Sequence, residues 1–107
     1  MKHLLKIKAL SVNMAYRGRR YATPELTKYK RDVGVLLPKI NTPTGRLSVK
    51  YRFGVSKRTD GDNLVKCFQD ILSEKYGFND NTIYRWEVEK IVVKRGEEFI
   101  VFEISNF

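Results

Sequence analysis

Apolar and polar positions alternate most regularly over residues 46–55, RLSVKYRFGV. Leu47, Val49, Tyr51, Phe53 and Val55 take every second place between Arg46, Ser48, Lys50, Arg52 and Gly54. Strand side chains point alternately to two faces, so this spacing predicts one face on a core and one that is polar and basic. Over residues 24–37 the period changes. Leu26, Tyr29, Val33, Leu36 and Leu37 recur at helical spacing, with Thr23 as N-cap, Pro24 at the first helical position and Glu25 in the first turn.

A second helix follows at Asp62 or Asn63, either of which is a natural N-cap. Its apolar residues Leu64, Cys67, Phe68, Ile71 and Leu72 lie at i, i+3, i+4, i+7 and i+8, one buried stripe, and Gly77 after Tyr76 is a candidate C-cap. Asp62, Lys66, Gln69 and Asp70 fall outside the stripe, with Lys66 four residues from each aspartate on one side of the helix. Residues 2–10 read as a first strand, and 13–23 as a loop or hairpin turning at Gly18. Residues 83–93 and 98–105 read as two strands joined at Arg95-Gly96. Helices and strands in this order make a two-layer α+β domain, and 107 residues suffice for a single one (1–107).

Charge adds a function class to this outline. The formal net charge is +9, and it is uneven: residues 1–58 carry +13 and residues 59–107 carry −4. Such an excess favours a polyanionic partner, because each Lys or Arg set against a phosphate releases condensed counterions. Nucleic acid is the first expectation. Cys67 is the only cysteine, which removes intrachain disulfides and cysteine-based zinc sites, and a single histidine, His3, removes most transition-metal sites. No apolar run approaches the roughly 20 residues of a membrane span. The basic start MKHLLKIKAL lacks the uninterrupted apolar core of a signal peptide, so a cytoplasmic protein is expected.

Against that basic background, KRTDGDNLVKCFQDILSEKYGFNDNTI (57–83) gathers Asp60, Asp62 and Asp80. Three readings compete. A turn and helix cap accounts for Asp62 but leaves Asp60 and Asp80 unexplained. An EF-hand calcium loop counted from Asp60 needs Gly at its sixth position and Glu at its twelfth, where this chain has Val65 and Ile71. A magnesium site needs a few hard carboxylate ligands with room for water and phosphate, which Asp60, Asp62 and Asp80 would supply. Lys66, one turn beyond Asp62, would then neutralise charge developing on a transferring phosphate.

The same stretch resembles the RusA family of Holliday junction resolvases. DGDNLVKCFQDIL is similar to that family's Asp-x-Asp-Asn-Leu-x-Lys-x-x-x-Asp-x-Leu signature, met here by Asp60, Asp62, Asn63, Leu64, Lys66, Asp70 and Leu72. The family's Asp-Asp before the next strand corresponds to Asn79-Asp80, with Asp80 three residues before Ile83; a one-residue shift would put Asn81 there instead. Lys90 matches a lysine frequent in the family. SVNMAYRGRRY resembles its early Ser-x-Asn and aromatic-rich basic loop, without the usual preceding Pro-Pro.

The resemblance implies a mixed β-sheet with two helices packed on it. It implies a homodimeric endodeoxyribonuclease that nicks four-way junctions symmetrically in DNA recombination and repair, frequently encoded by phages or prophages. It assigns Asp60, Asp62 and Asp80 to Mg2+, which Mn2+ can replace, and Lys66 to the phosphate. Asp70 is either a partner orienting Lys66 or an ordinary i,i+4 surface pair.

Candidate DNA-backbone contacts are Arg17, Arg19 and Arg20, interleaved with Tyr16 and Tyr21, together with Arg52, Lys57 and Arg58. Two rivals stand beside the resolvase: a non-catalytic basic DNA- or RNA-binding module, and a nuclease acting on flaps, forks or plain duplex.

Overall fold

A computed structural model describes residues 2–11, 15–17, 21–56 and 62–107; of residues 16, 17, 21, 22, 62 and 63 it describes the backbone alone. The elements in chain order are β1 (His3–Leu5), β2 (Tyr16–Arg17), β3 (Tyr21–Ala22), α1 (Pro24–Leu36), β4 (Leu47–Val55), α2 (Asp62–Tyr76), a short 3-10 helix (Asp80–Thr82), β5 (Ile83–Val92) and β6 (Phe99–Asn106). Strands β1-β6-β4-β5 form one mixed sheet, with β4–β5 parallel and the other pairs antiparallel; β2 and β3 form a separate hairpin. The fold is two-layer α+β, as the order of periodicities predicts.

One predicted cap operates at each helix. Thr23 accepts from the Leu26 amide through its side-chain oxygen, with Pro24 directly after it, and so starts α1. Gly77 closes α2 at φ +73°, a left-handed conformation that a side chain would strain. Asp62 is the first residue of α2 itself, one place later than a capping role requires.

The α2 stripe is buried as predicted. Phe68 has no exposure and meets Tyr51, Phe53 and Phe102 edge-on, at centroid distances of 5.5, 6.1 and 5.7 Å. Burying one such side chain stabilises by about 1.5–3 kcal/mol, and edge-to-face rings add to it. The Tyr76 hydroxyl donates to the Pro38 carbonyl at 2.6 Å, tying the end of α2 to the loop after α1.

Three further expectations need correction. The first strand covers only residues 3–5 of the predicted 2–10, because β1 pairs with β6 over three residues and the chain then turns, leaving Ile7, Ala9 and Leu10 packed on the core without a ladder. Leu36 is exposed, since α1 ends there and Leu37 takes the core position. Gln69, expected to point away from the core, is buried.

A bulge between β4 and β5 sets up everything that follows. Leu47 pairs with Ile83, but the next pair is Ser48 with Arg85, so Tyr84 is an extra residue on β5. A one-residue slip exchanges the two faces of a strand. Beyond the bulge, Trp86 and Val88 stand beside Val49 and Tyr51 on the helix-covered face, while Glu87 and Glu89 stand beside Lys50 and Arg52 on the other.

Candidate active-site cleft

The edge strand β5, helix α2 and the 3-10 helix between them enclose an open cleft of about 630 Å³ lined by Val65, Lys66, Gln69, Asp70, Asp80, Trp86 and Val88. Helical spacing brings Lys66 and Asp70 to it on one side of α2, where Lys66 Nζ lies 3.6 Å from Asp70 Oδ2. Both side chains remain substantially exposed, so the pair orients Lys66 without holding it firmly.

Asp80 arrives from the other side. Asn79 builds the turn that carries it: the Asn79 side-chain oxygen accepts from the Asn81 backbone amide at 3.1 Å, and the Asn79 backbone carbonyl accepts from the Thr82 hydroxyl at 2.6 Å. Asn caps a turn as well as Asp does, which explains physically how an Asn at position 79 keeps the turn intact. Asp80 lines the cleft and Asn81 does not.

The floor is a hydrogen-bonded relay. The Gln69 side-chain carbonyl accepts from the Tyr51 hydroxyl at 3.2 Å and from Trp86 Nε1 at 2.8 Å. Burial above all, and then the charge of Asp80, push the Tyr51 phenol well above its ordinary range, so its hydroxyl remains a donor. Sequence reasoning missed Gln69 and Trp86. Helical periodicity puts Gln69 outside the apolar stripe, but Trp86 of β5 covers that position, so Gln69 is buried while the side chains of Lys66 and Asp70 beside it stay substantially exposed. The sole tryptophan in a strand was the available signal for the other.

Neighbouring reactive groups take no part. Cys67 is buried, and its surroundings, burial first and Asp70 second, raise its thiol, so it behaves as a core residue. His3 lies on β1, at the opposite edge of the sheet, with its ring 5.1 Å from Phe102.

Of the predicted site residues, Lys66, Asp70 and Asp80 come together. Asp60, Lys57, Arg58, Arg19 and Arg20 lie outside the described residues, as do the side chains of Asp62 and Arg17. Arg52 is not brought to the cleft. It occupies the other face of the sheet, where its guanidinium pairs with Glu89 at 3.2 Å, and Lys50 pairs with Glu87 at 3.8 Å beside it. The polar, basic face expected of β4 is therefore matched by β5 carboxylates and offers phosphate much less positive charge than its sequence suggests.

Among the described residues no three His, Cys, Asp or Glu side chains gather as a complete metal cage. The donors facing the cleft, Asp70 and Asp80, are hard oxygen ligands of the kind magnesium accepts, with imidazole and thiol kept elsewhere. Among the described residues, no helix is long and apolar enough to cross a membrane. No protein-family model matches the chain, and no curated protein matches it.

Proposed function

We propose that the protein is a magnesium-dependent, structure-specific endodeoxyribonuclease of the RusA type, acting on four-way DNA junctions in recombination and repair. The observation that carries this reading is the meeting of Asp80 with the Lys66–Asp70 pair in one open cleft of a chain with net charge +9. Asp60, Asp62 and Asp80 would hold the ion. When bound, magnesium polarises the phosphodiester and lowers the pKa of a coordinated water.

The remaining work belongs to the chain. Lys66 balances charge on the scissile phosphate, and Asp70 positions the Lys66 ammonium through their i,i+4 contact. Arg17, Arg19, Arg20, Lys57 and Arg58 supply the backbone-binding charge, which offsets the repulsion between the carboxylates and DNA. Two symmetric nicks need two sites related by a two-fold axis, so the active species is a homodimer, working in the cytoplasm.

The test is cleavage of a synthetic four-way junction with and without magnesium, comparing wild type with Asp60→Asn and Asp80→Asn. Paired nicks that need the metal and vanish in both variants support the assignment. Junction binding without cleavage in wild type would leave a non-catalytic DNA-binding module, and equal cleavage of linear duplex would remove junction specificity.

A further inference from the structure

We propose that Trp86 is a stacking platform for a nucleobase exposed at a branch point or left unpaired, next to the phosphate held by the cleft, which makes it a specificity-determining residue for branched or locally opened DNA. The inference rests on the nuclease reading above and adds what the cleft recognises besides phosphate.

Trp86 is the only tryptophan of the chain and is 47% exposed, although its indole N–H is already bonded to the buried Gln69. Gln69 is held in turn by Tyr51, a fully packed ring of the core. The indole is thus anchored at its polar edge while much of its surface stays open in the cleft. An aromatic group fixed in this way has lost little further freedom to lose on binding.

Its neighbours divide the cleft into two chemistries. Val65 and Val88 continue the apolar surface around the indole, while Lys66, Asp70 and Asp80 form the charged part. A flat apolar surface beside a cation is what single-stranded nucleic acid binds: base on the ring, phosphate on the lysine. A volume of about 630 Å³ is within the ordinary range for a ligand site.

Bases inside a continuous duplex are stacked on both faces and cannot use such a platform. A base at a branch point or an unpaired position can, at a far smaller unstacking cost. The indole therefore discriminates by DNA structure without reading sequence.

Because Trp86 is the sole tryptophan, its emission reports on this cleft alone. The wild-type chain is titrated in EDTA, which prevents magnesium-dependent cleavage, with three fluorescein-labelled DNAs of matched length: a four-way junction, a duplex with one unpaired nucleotide, and a continuous duplex. Label anisotropy measures binding independently of the indole. The junction and the interrupted duplex should quench Trp86 with the same midpoint as the anisotropy change, and the continuous duplex should bind without quenching.

Trp86→Leu should weaken binding of the first two DNAs about tenfold while sparing the third, and Trp86→Phe should recover most of the loss. A junction bound and later cleaved with unchanged indole emission overturns the inference and leaves the nuclease reading standing. Equal affinities of Trp86→Leu and wild type for all three DNAs overturn it as well. A wild-type chain that binds none of the three overturns both.

Discussion

Replacing Gln69 by Leu should uncouple the cleft from the core at a cost that the geometry allows to be worked out. The leucine occupies a similar volume but removes the oxygen that accepts from Tyr51 and Trp86. Trp86 is about half exposed, so its N–H turns to water at little cost. Tyr51 is 2% exposed, and its hydroxyl loses its acceptor inside the ring cluster. A buried donor left unpaired costs about 1–3 kcal/mol, which lowers the melting temperature of a domain this size by roughly 4–12 °C.

Tyr51→Phe alone should cost about 0.5–1.5 kcal/mol, the net value of one hydrogen bond. In the double variant both partners are gone, and the total should fall below the sum of the single effects by about 1–2 kcal/mol. Urea unfolding followed by far-ultraviolet circular dichroism measures all four corners of this cycle. Strictly additive losses, or a Gln69→Leu variant as stable as wild type, would refute the relay as the support of the cleft floor.

Asp80→Asn should lower magnesium-dependent junction cleavage by at least about a hundredfold, since loss even of a residue that only supports a metal ligand costs 10- to 100-fold, whereas Asn81→Ala should change it little; single-turnover rates compare the two. Gly54→Ala places a methyl group in the ring of Phe99 across the β4–β6 ladder and should destabilise by about 1–3 kcal/mol, most of it relieved in a Gly54→Ala, Phe99→Ala double variant measured by thermal melting. Phe68→Ala, which empties the centre of the aromatic cluster, should cost about 3–5 kcal/mol, read as a shift of the urea midpoint.

The Ser56 hydroxyl donates to Glu98 at 2.7 Å and, more than any other cause, lowers the carboxyl below its ordinary value. Its stabilising contribution is therefore present above the unfolded pKa and lost as pH falls through the folded one. A carbon-detected NMR titration should find Glu98 titrating below ordinary glutamates, and Ser56→Ala should move it up.

Legibility followed the range of the interactions involved. The α2 stripe was readable because periodicity within one helix reports directly which side is apolar, and Leu64, Cys67, Phe68, Ile71 and Leu72 are all buried. Caps at Thr23 and Gly77 were readable for the same local reason. Gln69 was not, since its burial depends on Trp86, 17 residues later, covering it from another strand. Nor was the neutralised face of β4: Lys50 and Arg52 look like a basic surface until Glu87 and Glu89 are placed opposite them. The Lys66–Asp70 contact was legible as an i,i+4 pair, but that Asp80 shares one cleft with them depends on how α2 crosses back over the sheet.

By itself, then, the amino-acid sequence determined which segments become the two helices and the three longer strands, where α1 starts and α2 stops, and which residues carry charge. All of these are set by interactions within a few residues. The face that each β5 side chain occupies was decided only in the tertiary structure. The extra residue Tyr84 shifts β5 by one position against β4, which sends Trp86 into the cleft and Glu87 and Glu89 to the opposite face. Alternation within β5 places Trp86 and Val88 on one face and Glu87 and Glu89 on the other, but it does not say where along the strand an extra residue is inserted. Only its pairing with β4, after the chain has crossed over through α2, does.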